Sequence, residues 1–382
     1  MFLSNRDLVE LIDIRHELHR FPEISGEEKE TARRICTYLE ASPPDRLLTD
    51  LGGHGVAAIF ESGNDGPSVL IRAELDALPI VEQSDIPHRS TVEGRGHLCG
   101  HDGHSTILLA LARGLSRQRP HTGKVVLLFQ PAEETGAGAA AVIADRFFQD
   151  IKTEYAFSLH NLPALPLGHV SLIEGPVNCA SRGMKIRLAG KTAHASSPEH
   201  GVSPMQAVST LMPALSALGQ GLPPQPDFKM VTITHAVMGE AAFGIAPADA
   251  EIWATLRTLT DDRMAELCAA AETLARQTAA ANGLTIEIFY DDIFQHCEND
   301  TDAVALLRTA LDEEQVPHDG RALPMRASED FGRFGAVSKS AMFFLGAGTD
   351  HPNLHNPDYD FPDALIETGA RIFMRTIRTL TD

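Results

Sequence analysis

The chain has 382 residues, 43% hydrophobic and 22% charged, with 32 Lys and Arg against 52 Asp and Glu for a formal charge of -20. That length exceeds what one hydrophobic core usually serves, so two or three domains are expected. The acidic balance repels nucleic acid and anionic membrane surfaces and leaves a small molecule as the expected partner.

A helix is predicted over 5–20, where Leu8, Ile12, Ile14 and Leu18 fall near helical spacing before Phe21-Pro22 ends it. His16 and His19 ride on it, and histidines in such places are expected to be solvated or at the core edge. A second helix is predicted from Ser25 to Glu40, with Ser25-Gly26-Glu27-Glu28 read as a capping box. Beyond it, apolar runs alternate with helical patterns, the rhythm of βαβ units and a largely parallel sheet with helices on both faces. Four runs end in chemistry. Ser68–Ala73 leads into Glu74 and Asp76, Lys124–Phe129 into Glu133 and Glu134, Tyr155–Leu159 into His160, and Ala341–Leu345 through a glycine-rich loop to His355. Open parallel sheets bind ligands beyond the carboxyl ends of their strands, so these residues can converge on one crevice.

Between the third and fourth runs the rhythm changes. Strand 182–189, helix 203–219, strands 230–238 and 249–258, helix 261–281 and strand 284–291 spell β-α-β-β-α-β, the ferredoxin-like split-βαβ sandwich. An inserted α+β domain is therefore expected at 181–291, inside a discontinuous α/β main domain of 1–180 and 292–382.

The densest chemistry lies in Gly96-His97-Leu98-Cys99-Gly100-His101-Asp102-Gly103-His104. Thiolate and imidazole are ligands that zinc and similar ions prefer, and in extended backbone Cys99 and His101 point to one side. By itself the stretch also fits a buried structural cysteine beside surface histidines. Glu133-Glu134 follows a strand and Pro131; if the backbone stays extended, one carboxylate can hold a metal while its neighbour serves as general base. Asp76 reads either as a helix N-cap or as an acid that orients a ligand.

Five cysteines at 36, 99, 179, 268 and 297 show no paired spacing, as in a reducing compartment. Residues 1–7 include acidic and polar side chains where a signal peptide needs an apolar run, and no segment reaches the ~20 apolar residues that span a bilayer. A cytoplasmic protein without membrane contact is expected.

The motifs RAELDALP, GHLCGHDGH, FQPAEET, SLHNLP, GKTAHASSP, SEDF and LHNPDYDF, in that order, resemble the aminoacylase and carboxypeptidase family of two-metal hydrolases. Within it they are most similar to the N-acyl-amino-acid amidohydrolases, which include hippurate hydrolase and the auxin-conjugate hydrolases. The resemblance implies two divalent ions of zinc, manganese, cobalt or nickel, bridged by Cys99 and completed by His101, Glu134, His160 and His355. It also implies Glu133 as the base that activates the attacking water, and His194 as the group that stabilises the oxyanion in the partner subunit's site. Arg257 would bind the substrate carboxylate, and the inserted domain would act as a lid and make a homodimer. The implied reaction splits an N-acyl amino acid, acetyl, benzoyl or similar, into a carboxylic acid and an amino acid. A metallo-dipeptidase of the same family is the alternative. A cysteine hydrolase using Cys99 with His101 or His104 leaves Glu134, His160 and His355 without a role, and Glu133 argues against a catalytically silent metal-binding protein.

Glu74, where that branch commonly has Asp, and Gly244-Ile245-Ala246-Pro247, where it commonly has Asn-x-Ile-Pro, are departures expected to bear on substrate choice, with Trp253 in the neighbouring strand. His97, His104, His200 and His351 receive no role.

Overall fold

A computed structural model describes residues 2–382 and divides the chain into two compact units: Met1–Val177 with Glu298–Leu323 and Asp330–Asp382, and Asn178–Cys297 with Pro324–Glu329. In the first unit helices α1 (Asn5–Arg20) and α2 (Lys29–Leu39) precede strands β1 (Arg46–Leu51), β2 (Gly55–Glu61) and β3 (Ser68–Glu74). Helix α3 (His101–Arg117) and strands β4 (Lys124–Gln130) and β5 (Tyr155–Pro163) follow.

These strands belong to an eight-stranded sheet ordered β1, β2, β4, β3, β5, Lys339–Gly348, Val170–Ser171 and His318–Asp319. The four chemistry-bearing runs are its centre. β4, β3, β5 and Lys339–Gly348 are mutually parallel, while β1 and β2 fold back antiparallel at one side. All seven residues of β3 are buried, so both faces of the sheet are covered, as parallel strands require. α3 packs on the C-terminal helix Ala364–Thr381 and on α1, with Ile107, Leu111, Phe343 and Phe373 in one core.

The start of α2 differs from expectation. The helix begins at Lys29, and the Ser25 hydroxyl donates not to its own helix but to Asp76 Oδ2 at 2.7 Å. Glu28 accepts the Ala132 amide at 2.7 Å, so residues that look like a cap tie down two loops of the site. A reciprocal capping box does occur, between Ser4 and Asp7 of α1. His19 is another correction. Its side chain is fully buried, with Nδ1 2.8 Å from Asp102 and Nε2 3.2 Å from Glu82, because α1 turns this face toward buried carboxylates rather than water.

In the second unit, strands Lys229–Met238, Asp249–Thr258, Ala180–Ala189 and Thr285–Phe294 form an antiparallel sheet in that order. Helices Met205–Ser216 and Asp261–Ala281 cover one face over a core that includes Ile186, Leu211, Ile252 and Leu267. Trp253 and Phe289 lie on the strands and stay part-exposed. Pro324–Glu329 joins this unit through the backbone. The Cys179 amide donates to the Ala327 carbonyl at 3.1 Å, and Arg257 Nη1 reaches the Arg326 carbonyl at 2.9 Å. No helix among the described residues is long and apolar enough to cross a membrane.

Candidate metal centre

The chain does not run extended through Gly96–His104. Gly100 adopts φ +95°, and α3 starts at His101, so a left-handed turn rather than strand alternation presents Cys99 and His101 together. A Cβ on Gly100 would stand 2.1 Å from Asn161 Oδ1, which leaves no room for any other residue. The Glu133-Glu134 pair likewise sits in a turn, after Ala132 at φ +50°, and not in extended backbone. His160 belongs to β5 itself, near its carboxyl end. His355, again at φ +66°, is anchored by its own amide to the Leu98 carbonyl at 2.8 Å.

These turns bring together two overlapping triads, Cys99 with His101 and His160, and Cys99 with Glu134 and His355, each with ligand atoms within 4.8 Å of one another. Within them Cys99 Sγ is 3.4 Å from His160 Nε2 and Glu134 Oε1 is 3.6 Å from His355 Nε2, and between them His101 Nε2 is 3.9 Å from Glu134 Oε1. Ligands held 2.0–2.3 Å from a tetrahedral ion stand about 3.3–3.8 Å apart, so this is metal-ligand spacing. His101 Nε2 and Glu134 Oε1 are buried and have no hydrogen-bond partner among the described residues, an arrangement that a cation resolves. The donor set, one thiol, three imidazoles and a carboxylate, suits a transition metal.

The supports behind the triads select their lone pairs. His101 Nδ1 donates to the Asp76 carbonyl at 2.9 Å and His160 Nδ1 to the Asn161 carbonyl at 2.7 Å, which leaves each Nε2 aimed inward. Asp76 is not a helix cap. Its Oδ2 takes the Glu134 amide at 2.9 Å, and its Oδ1 lies 3.3 Å from His101 Nδ1. Burial and then the Glu134 and Glu133 carboxylates push the Cys99 thiol well above its ordinary value. Burial pulls His101 down, but Glu74, Asp76 and Glu134 outweigh it and hold the imidazole at about 10. Burial, with His104 next, lowers His160 to about 3.

Glu133 is buried beside the triads, its carboxylate within 4.8 Å of His101 and Glu134, and the Asp330 amide approaches its Oε1 at 3.4 Å. Asp330 is fixed from below by Arg72 Nη2 at 2.5 Å, Gln130 Nε2 at 2.9 Å and the Ala139 amide at 2.8 Å.

Sequence reasoning missed His104. Its Nδ1 is 2.7 Å from Glu74 and its Nε2 2.6 Å from Asn161 Oδ1; with both nitrogens engaged it buttresses the site rather than completing a third ligand set. The fixed i, i+3 offset from His101 on α3 was the available signal. Glu74 is also not where its departure suggested. It is fully buried between Arg72 and His104; burial opposes its ionisation, but Arg72 and then His104 hold it well below the carboxylate range. A carboxylate enclosed on this scale faces Arg72 and His104 rather than solvent.

His194 and Arg257 belong to the second unit. His194 is exposed on a short ribbon, paired with Ile245, so the Gly244–Pro247 departure runs beside it. Its Nδ1 accepts from the Ser196 amide at 3.1 Å and hydroxyl at 2.8 Å, which puts the ring proton on the outward Nε2. Arg257 donates to the Ser328 hydroxyl at 2.8 Å and has no carboxylate partner among the described residues.

Two triads that share a thiol, beside a buried carboxylate at the carboxyl ends of parallel strands, offer a donor set suited to metal ions. The chain belongs to peptidase family M20/M25/M40, whose family model matches residues 70–379. It is 32% identical to the hippurate hydrolase of Campylobacter jejuni over 95% of this chain and 94% of that protein. It is 31% identical to the N-acetyl-L-cysteine deacetylase of Bacillus subtilis, over 98% and 88% respectively. Among solved structures, the YxeP protein of B. subtilis, described as a dinuclear metal-binding peptidase of the M20 family, superposes with a TM-score of 0.83 at 26% identity and covers 99% of both chains.

Proposed function

We propose that the protein is a metal-dependent amidohydrolase that cleaves N-acyl amino acids to a carboxylic acid and an amino acid. The observation that carries this reading is the pair of triads sharing Cys99 beside a buried, separate Glu133. Cys99, His101 and His160 would hold one ion, and Cys99, Glu134 and His355 the other. Divalent ions bound there supply Lewis acidity to the scissile carbonyl and lower the pKa of the attacking water.

Glu133 takes the proton from that water and passes it to the departing amine, a shuttle its place beside the triads allows. Asp330 and its partners orient that carboxylate. Asp76 and the Asn161 carbonyl keep His101 and His160 in the tautomers that present Nε2. His194, with its proton on Nε2, is a ready donor to a developing oxyanion. Arg257, a guanidinium without a carboxylate, suits the carboxylate of the amino-acid product. The second unit serves as lid and dimerisation surface, for which strand Lys229–Met238 is an edge of its sheet, bridged at Lys229 by Gln220 but with Val237 and Met238 exposed further along. Five free cysteines suit a reducing cytoplasm. A thiol nucleophile is disfavoured because burial and neighbouring carboxylates keep Cys99 protonated.

The test is amine release from N-acetyl, N-benzoyl and longer N-acyl amino acids and from dipeptides, using chelated protein before and after manganese or zinc is added. Activity should return only with metal, and Glu133→Gln should cut kcat by about 10²–10⁴-fold while still binding the ions. Full activity in verified metal-free protein would overturn the proposal, and a preference for dipeptides would move the enzyme to peptidase.

A further inference from the structure

Outside the triads, a second largely buried ionic cluster in the first unit hangs from α1. Arg15 is completely buried, and its guanidinium is spread over several partners. Nε donates to Asp363 Oδ1 at 2.9 Å, Nη1 to Asp360 and, at 3.4 Å, to Asp102, and Nη2 to His88 Nε2 at 2.8 Å. One turn later His19 faces Asp102 with one ring nitrogen and Glu82 with the other. Carboxylates only accept, so both nitrogens of His19 carry protons, and two cationic side chains hold four carboxyl groups.

The segments that supply those groups also build the proposed metal site. Asp102 follows His101 in α3. Asp360 and Asp363 end the stretch that contains His355, and the Gln83 amide, beside Glu82, donates to the Pro357 carbonyl of that stretch at 2.6 Å. His355 is the least enclosed of the five ligands. Its side chain is 49% exposed, where those of His101 and Glu134 are 0% and 14%, so its backbone rather than packing around the ring decides where it stands. That backbone is held at one end by the Leu98 carbonyl and at the other by Arg15.

We propose that Arg15 is a positioning residue for His355, setting the cation affinity of the Cys99–Glu134–His355 triad while leaving the Cys99–His101–His160 triad largely unaffected. The inference rests on the two-ion reading above. The selectivity follows from what remains when the fork is lost. Asp102 keeps His19 at 2.8 Å, whereas Asp360 keeps the ring of His88 and a longer 3.8 Å contact to His19, and Asp363 keeps the ring of His16. Lysine preserves the charge, but a single nitrogen cannot span carboxylates that Nε and Nη1 reach separately.

The experiment titrates the chelated full-length protein with cobalt(II), followed by calorimetry and by the visible and thiolate charge-transfer absorption of the bound ion. Wild type should take two equivalents. In Arg15→Lys the first should bind within about threefold of wild type and the second 10–100-fold more weakly, the usual cost of disturbing a ligand's support. His355→Ala should lose the second equivalent, and adding Arg15→Lys to it should weaken the first no further. Should Arg15→Lys fail to fold, Asp360→Asn carries the same expectation, with the melting temperature of the metal-free protein as control. Wild-type affinity for both ions in the variant, or equal weakening of both, overturns the role of Arg15. A wild type that takes fewer than two ions overturns the two-ion reading instead, and does so before any variant is made.

Discussion

Replacing His19 with Gln removes a buried imidazolium and leaves most of its volume filled. Burial lowers the proton affinity of His19, but Asp102 and then Glu82 more than reverse this and hold it at about 9, against an ordinary 6.5. At about 1.4 kcal/mol per tenfold change in proton affinity, the difference amounts to about 3 kcal/mol of stability. Because the folded value is raised, that contribution is complete below pH 6.5 and disappears as the pH climbs through about 9. The measurement is urea denaturation of the first unit, followed by far-ultraviolet circular dichroism at several pH values from 6 to 10, for wild type and His19→Gln in parallel. Wild type should lose about 3 kcal/mol more than the variant across that range, with the other titrating groups cancelling in the comparison. Parallel curves would refute the argument, since they would mean that His19 is neutral in the fold and that Asp102 is balanced by Arg15 alone.

The same geometry makes further claims. Gly100→Ala forces a left-handed residue to carry a Cβ into Asn161; left-handed strain and overpacking together should cost about 2–5 kcal/mol, read as a lower melting temperature with weaker metal binding, and an unchanged melting temperature would contradict the turn described here. Ser196→Ala removes one of the two donors that hold His194, leaving the Ser196 amide, and kcat should fall about 2–10-fold with KM nearly constant, the worth of one hydrogen bond. If His194→Ala is far slower than wild type while Ser196→Ala matches wild type, the hydroxyl plays no part in orienting the ring.

The central sheet was readable from sequence because strands buried on both faces appear as unbroken apolar runs, and all four runs that end in ligands or acids proved to be its parallel core. The residues of the triads stood out because each follows such a run or lies in the Cys-x-His motif, while their grouping as one ligand set came from the family resemblance. Their presentation was not readable. Ala132, Gly100 and His355 adopt left-handed turns, and for two of the three nothing in the residue type announces a positive φ. The polar network escaped for a related reason. Hydrophobic periodicity describes faces that avoid water and is silent on charges that balance one another inside, so His19 read as solvated or at the core edge, Glu74 as a departure bearing on substrate, and His104 and Arg15 carried no role. Ser25 and Glu28 show the same limit, since a capping box and a pair of long-range anchors use identical side chains.

The parallel pairing of β5 with Lys339–Gly348 sets Tyr155 opposite Lys339, 184 positions further along the chain. During synthesis β5 therefore emerges with one edge unmatched and must wait while the whole second unit is made, a unit whose sheet pairs strands entirely among themselves. The inserted unit can fold first and the interrupted one last. Through that interval the buried edge of the larger sheet stands open to other nascent chains, so overproduction at high temperature should divert material into aggregates at this step, while slower translation or an early supply of chaperone should recover it.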